Sequence, residues 1–216
     1  MASLTKGGEL ENKNEHTNVC KKPDPLATLF HQYRIRKKQA QAEGRELRTP
    51  FLRMPVTGIR DALTLAGLKD GDVLVDVGCG EGTVLLMGAR TCNCRAVGIE
   101  YDPELVRTSR ANAVAAGVAN DGRVSVLEGD FFEKDAQAIL QSATVIMMFH
   151  PKQSFGGQLF PYLLQQAQPG TRIVSYAFDM GAAASAEASC ETAGFRFHDN
   201  KQATKKATIW LWRVHE

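Results

Sequence analysis

The sequence predicts an α/β protein built on a doubly wound, seven-stranded sheet, and three observations carry that prediction. Short apolar runs alternate with helix-length segments from Val73 to Tyr176, the order that a largely parallel sheet with helices on both faces requires. One run, Asp72 to Val77, empties into glycines at alternate positions, Gly78, Gly80 and Gly82, and a helical pattern follows. Another, Ala143 to Phe149, is almost wholly apolar and ends abruptly in His150-Pro151-Lys152. Parallel strands buried on both faces read this way. A chain of 216 residues with 44% hydrophobic content has room for such a domain plus an N-terminal extension.

The elements follow in order. Residues 1–24 are polar, with few apolar anchors, and are expected to form a disordered tail. Pro25 to Arg48 is expected to be a helical extension, with Leu26, Leu29, Phe30 and Tyr33 near helical spacing, and the domain proper runs from residue 49 to 216. Gly58–Ala66 is a predicted helix stopped by Gly67. Val73–Val77 is the first strand, and its helix starts near Thr83. Arg95–Glu100 is the second; Asp102 is placed to cap, and Pro103 to open, the helix that carries Glu104–Ala116. Val124–Leu127 is the third strand, Lys134–Gln141 a helix and Thr144–Phe149 the fourth strand. Phe155-Gly156-Gly157 reads as a mobile loop before a helix over Gln158–Gln166. Arg172–Tyr176 is the fifth strand and Ala182–Gly194 a helix; Phe195–His198 and Thr208–Val214 pair as a terminal hairpin.

The glycine turn is where the chemistry concentrates. Glycine is required where backbone must meet a ligand without a Cβ in the way, or where φ is positive. A strand, such a turn and a helix N-terminus together form the crevice in which open α/β sheets bind nucleotide-like cofactors. Glu100 ends a strand about 20 residues past the glycines, where an acid accepts from both ribose hydroxyls, and Tyr101 adjoins it. Asp130 ends the third strand and suits an adenine amino group, with Phe131 beside it to cover a purine face. Asp76 is read as fixing the glycine turn or meeting an ammonium, and Glu81 as capping the next helix or meeting that same ammonium. A dinucleotide site would want G-x-G-x-x-G, whereas this chain offers Gly78-x-Gly80-x-Gly82 with no glycine three residues past Gly80 or Gly82.

These residues resemble class I S-adenosylmethionine-dependent methyltransferases over roughly Thr49 to Glu216, which have a Rossmann-like sheet with an antiparallel last strand. Asp76-Val77-Gly78-Cys79-Gly80-Glu81-Gly82 is similar to their first motif, Glu100 to the ribose acid and Asp130 to the adenine acid; Phe149-His150-Pro151-Lys152 resembles the segment closing over the transferred methyl. S-adenosyl-L-methionine is therefore the expected cofactor. Thr49-Pro50-Phe51-Leu52-Arg53-Met54-Pro55-Val56-Thr57 and Pro169–Gly181 are similar to a narrower family of small bacterial and mitochondrial methyltransferases. Its characterised eukaryotic members methylate protein lysines, on the ATP synthase c subunit and the adenine nucleotide translocase. The resemblance implies a protein-lysine acceptor. The chain departs from that family in His150-Pro151-Lys152 and in having no apolar N-terminal segment.

If the acceptor is an amine, His150 is the candidate base, against a packing or backbone-bonding role there. Lys152 either orients an acidic substrate group or is an exposed loop residue. Tyr176 and Asp179 are weaker candidates for the acceptor pocket, and Tyr33 and Phe51 for a lid or for core. Amino-directed nucleic-acid methyltransferases present Asn or Asp, Pro-Pro and an aromatic where this chain has Phe149-His150-Pro151-Lys152. A small-molecule acceptor and a catalytically inactive cofactor-binding subunit are the other readings.

Charge is concentrated. From His31 to Arg48 there are six basic residues against two acids, whereas the tail balances four lysines with four acids. With a total of +2, the residues from Thr49 onward carry −2. The basic segment 34–48 is either a solvated helix face or a clamp over an acidic or nucleic-acid partner. No apolar stretch approaches the roughly 18 residues of a membrane span. Five cysteines are read as reduced thiols, and Cys92-x-Cys94 lacks the second pair a zinc site would need. A cytoplasmic location is expected, with the mitochondrion as the alternative.

Overall fold

The computed structural model describes residues 25–44, 49–119, 122–151, 154–180, 197–203 and 208–215. Helices α1 (Pro25–Ala42) and α2 (Val56–Ala66) precede the first strand. Strands β1 (Val73–Val77), β2 (Arg95–Glu100), β3 (Val124–Glu128), β4 (Val145–Met148) and β5 (Arg172–Tyr176) alternate with α3 (Thr83–Thr91), α4 (Pro103–Ala115), α5 (Lys134–Ser142) and α6 (Leu159–Gln166). Strands β6 (Phe197–Ala203) and β7 (Thr208–Val214) follow. The sheet order is β3-β2-β1-β4-β5-β7-β6. Pairing is parallel from β3 through β5, and β7 runs antiparallel against β5, with Val174 opposite Leu211.

Alternation along each strand sends successive side chains to opposite faces. Leu74, Val145, Met147 and Val174 pack with Ile59 and Leu63 of α2, Leu85 of α3 and Ala113 of α4. Val75, Val77, Ile146, Met148 and Trp212 pack with Leu140 of α5 and Phe160 and Leu163 of α6. The sheet is thus covered on both sides, which is why its central strands read as unbroken apolar runs. At about 25 cal/mol per Å² of apolar surface, each fully buried Leu or Met here contributes about 1.5–3 kcal/mol.

Local signals set the helix ends. Gly67, at φ 61°, closes α2 in the left-handed conformation, and its N–H returns to Leu63 and Thr64 carbonyls. Asp102 accepts from the Glu104 N–H at 2.9 Å, and Pro103 opens α4. Several elements differ from expectation. Helix α1 ends at Ala42, and residues 45–48 lie outside the described residues. Strand β4 stops at Met148, so Phe149 leaves the ladder and is released into the cleft region. Ser154–Gly157, expected as a loop, forms a 3-10 helix in which Phe155 adopts φ 60°. The expected tail at 1–24, the helix at 182–194 and the hairpin's expected start at 195–196 lie outside the described residues; β6 is described from Phe197.

The feature that locks the far end of the sheet was not legible in the sequence. Arg172, at the start of β5, pairs with Asp72, which precedes β1, and its Nη1 donates to the Ala66 and Gly67 carbonyls at 2.8 Å each. Thr144 donates to the same Asp72 carboxylate at 2.7 Å. Burial pushes the Asp72 carboxyl up, but the Arg172 and Thr144 hydrogen bonds outweigh it and hold the group below its ordinary range. This cluster ties α2 to the strand ends opposite the glycine turn.

Candidate functional site

In the sheet order, β1 lies between β2 and β4, and the chain winds outward to β3 before returning to β4. This is the topological switch point at which open α/β sheets bind ligands, at the carboxyl ends of the strands. A cleft of about 400 Å³ opens there, within the roughly 300–1,000 Å³ of small-molecule sites.

The glycine turn forms one wall. Gly78, Gly80 and Gly82 have φ of 78°, 55° and 79°, a region that costs other residues about 1–2 kcal/mol. Space matters as much as torsion. A Cβ on Gly78 would lie 2.5 Å from His150 Nε2, and one on Gly80 would collide with the Phe51 ring. Glu100 fastens this turn: one oxygen accepts from Gly80 N–H at 2.8 Å and the other from Asp102 N–H at 2.8 Å. Asp76, which the sequence assigned to fixing the turn or meeting an ammonium, makes no hydrogen bond to the described residues. Its carboxyl sits buried near Glu100, and burial together with that neighbouring charge pushes its pKa up to about 8. Burial raises Glu100 as well, opposed by the two N–H donors.

On the opposite side the strand ends contribute aromatics. Asp130 Oδ1 accepts from Phe132 N–H at 3.0 Å, which tightens the turn after β3 and leaves Asp130 and Phe131 lining the cleft. Phe131 is 6% exposed, held edge-on by Phe155 with centroids 5.0 Å apart. Tyr101 stands on the rim, 40% exposed. Phe149 packs edge-on to Tyr176 and stacks on Phe178 at 5.8 Å. Tyr176 is itself buried and supports Phe149 from behind; it and Asp179 are not part of the cleft lining. Lys152 lies outside the described residues.

His150 bridges the switch point. Its Nε2 is 2.7 Å from the carbonyl oxygen of Val77, the last residue of β1. A carbonyl only accepts, so Nε2 carries the proton and Nδ1 holds the lone pair. Nδ1 has no hydrogen-bond partner among the described residues. Burial lowers the ring's pKa against the opposing pull of that carbonyl, so the imidazole is neutral at neutral pH. Phe155 and Phe131 flank the ring, with centroids at 5.4 and 6.1 Å.

The roof comes from the N-terminal side. Tyr33 of α1 and the strap Thr49–Arg53 line the cleft, which settles Tyr33 and Phe51 as cover rather than core. Arg53 Nη2 donates to both Glu81 oxygens at 2.7 and 2.6 Å. Glu81 therefore clasps the strap and does not cap α3, whose first residue has no side-chain cap. Sequence reasoning missed the Arg53–Glu81 pair and Phe155; a lone positive charge in a Pro-flanked strap was the available signal for the first. Among the described residues no group of His, Cys, Asp or Glu is arranged to hold a metal, and Cys79, Cys92 and Cys94 are free thiols.

This donor set fits S-adenosylmethionine: a positive-φ glycine turn with Gly78 on the cleft wall, a strand-end carboxylate beside it, a second acid next to an aromatic, and an unpaired buried carboxyl for a cation. Comparison with known proteins agrees. The model of the ANTKMT methyltransferase domain matches residues 76–187. A protein-lysine N-methyltransferase of Saccharolobus islandicus is 35% identical over 132 residues, spanning 61% of this chain and 78% of that protein. The crystal structure of an RNA methyltransferase from Salinibacter ruber with S-adenosyl-L-homocysteine superposes with a TM-score of 0.63 at 34% identity, covering 76% of this chain and 95% of that one. A precorrin-6y C5,15-methyltransferase from Geobacter metallireducens shares the fold alone, at 16% identity and a TM-score of 0.56. With both halves of the cleft and these relatives in agreement, the chain belongs to the ANTKMT methyltransferase domain family and is an S-adenosylmethionine-dependent methyltransferase.

Proposed function

We propose that the chain methylates the side-chain amine of a protein lysine, with Glu100 and Asp130 holding the cofactor's adenosine and His150 accepting the proton that the amine sheds. The observation that carries the acceptor is the likeness to the S. islandicus protein-lysine N-methyltransferase over 78% of that protein's length. S-adenosylmethionine supplies an already activated methyl, so the chain's task is alignment and exclusion of water. Gly78 and Gly80 admit the cofactor close to backbone, Glu100 retains lone pairs for ribose hydroxyls, and Tyr101 and Phe131 flank the adenosine. Phe149 and His150, at the end of β4, face the reacting end.

A lysine ammonium has no lone pair at neutral pH, since its pKa is about 10.4. A proton must leave the nitrogen before its lone pair can attack, and the N–C bond would then form as the methyl's bond to the cofactor sulfur breaks. Neutral His150, oriented through Val77, presents Nδ1 for it. His150→Ala is expected to lower turnover about 10²-fold or more while S-adenosylhomocysteine affinity stays within a factor of about two. Because the ring's pKa is lowered, the wild-type rate should fall only below pH 6.5, and the variant should lack that limb. Wild-type turnover in the variant would end the base assignment. Tritium transfer from labelled cofactor to a panel of lysine-bearing proteins tests the acceptor: acid-stable label on lysine is expected.

Asp76 supports the cofactor's cationic end. With its pKa at about 8, the free protein holds Asp76 largely protonated at pH 7. A bound ammonium favours the carboxylate, so binding releases a proton and tightens as pH rises through 8. Calorimetry in buffers of different ionisation heat should detect that proton, and Asp76→Asn should abolish it. The fold responds in the opposite sense: a pKa raised from 3.8 contributes stability at low pH that is lost as pH climbs toward 8. A pH-independent Kd between 6 and 9 would refute the assignment.

A nucleic-acid acceptor is the second reading, favoured by the S. ruber structure's description as an RNA methyltransferase. Against it, Phe149-His150-Pro151-Lys152 lacks the Asn or Asp and paired prolines that grip an exocyclic amine. Label appearing on RNA and on no protein would decide for it.

A further inference from the structure

Helix α1 has a chemistry that the cofactor site does not absorb. Its 18 residues carry Arg34, Arg36, Lys37 and Lys38 and no acid. Along its later turns Tyr33, Lys37 and Ala40 form the less exposed face, with Ala40 2% exposed, and Arg34, Ile35 and Lys38 lie away from it. Arg34 and Lys38 are exposed and form no ion pair among the described residues, and Ile35 beside them is 54% exposed. Lys37 lies over the Tyr33 ring, 5.8 Å from its centroid. Tyr33 in turn lines the cleft that holds Phe149 and His150. The uncompensated charge therefore begins at the mouth of the cleft. It cannot be balanced from within the helix, while the chain from Thr49 onward is net negative.

We propose that the basic face of α1 is the docking surface for an acidic segment of the protein substrate, flanking the lysine that enters the cleft; this deepens the lysine reading and rests on it. Charge complementarity selects the partner. Arg34 and Lys38, four residues apart, lie on neighbouring turns of one face, and carboxylates on an extended or helical segment meet them while Ile35 offers an apolar contact between. A polynucleotide fits less well. A basic helix is shared by nucleic-acid binders, but their domains have a pI above about 9, whereas here the sequence pI is 8.3. Opposite charges across the rim would act on encounter and on KM more than on the chemical step.

Fluorescence anisotropy on the full chain tests this without requiring turnover. Three probes are used: an Asp/Glu-rich dodecapeptide with one central lysine, the same peptide with Asn and Gln for the acids, and a short RNA of matched charge. The acidic peptide is expected to bind at least tenfold tighter than the neutral one and tighter than the RNA, with affinity falling as salt rises. The double variant R34E/K38E should lose that tenfold preference while its S-adenosylhomocysteine affinity and thermal midpoint stay unchanged. Equal binding of the two peptides, tighter binding of the RNA, or an unaffected double variant would each overturn the proposal. Methyl transfer to the bound acidic peptide is read separately. Charge-dependent binding without lysine methylation would defeat the lysine assignment and leave the docking surface standing.

Discussion

Replacing Glu100 with alanine is expected to weaken S-adenosylhomocysteine binding at least tenfold, measured by calorimetric titration. Two losses combine. The ribose hydroxyls lose a charge-assisted acceptor, worth about 1.5–3 kcal/mol. The turn itself also loses its fastening, because Glu100 accepts from Gly80 N–H and Asp102 N–H at 2.8 Å each. Those buried donors would be left without a partner, so binding is lost both at the ligand and in the cradle that shapes it. Thermal unfolding separates the two: destabilisation of the ligand-free protein reports the turn, and the remaining loss of affinity reports the ribose contact. Unchanged affinity would remove Glu100 from the cofactor site.

Arg172→Met is expected to destabilise the fold by about 3–5 kcal/mol, because it leaves a buried carboxylate without its countercharge. Asp72 is 4% exposed, and the Ala66 and Gly67 carbonyls at the end of α2 lose their shared donor in the same substitution. Urea denaturation followed by circular dichroism measures it. Pairing the change with Asp72→Leu should recover much of the loss, since removing both charges leaves nothing stranded. A single-variant loss under about 1 kcal/mol, the size of an ordinary hydrogen bond, would show that Asp72 is satisfied by Thr144 and the Lys69 N–H alone. Because the Asp72 pKa is depressed in the folded state from 3.8, its contribution is present above that value and is lost as pH falls through the folded one.

The proposed lysine acceptor and the proposed acidic flank are linked by position. The cleft opens between the end of β4 and the N-terminal strap, and α1 reaches its mouth through Tyr33. On this proposal a substrate lysine aimed at His150 would pass that rim. The strap is clasped by Arg53 on Glu81; an exposed pair of this kind is worth at most about 1 kcal/mol.

By itself the sequence determined what depends on backbone demands within a few residues. Three glycines at alternate positions after a strand favour a tight turn at positive φ, Asp102-Pro103 a helix start, and unbroken runs such as Val145–Met148 strands covered on both faces. The acids at strand ends were legible for the same reason: a carboxylate that closes an apolar strand needs a polar partner at the sheet's edge. Tertiary structure decided the pairings between residues far apart in the chain. Val77 and His150 are 73 residues apart, yet they meet because β1 and β4 are neighbours, and that contact chooses which nitrogen of His150 keeps its lone pair. It also reassigned the turn: Glu100, not Asp76, holds Gly80, leaving Asp76 buried with no hydrogen-bond partner among the described residues. The Arg172–Asp72 and Arg53–Glu81 pairs, 100 and 28 residues apart, follow the same logic. Local sequence encodes torsion and burial, whereas charge pairing and proton placement depend on which strand ends the topology brings side by side.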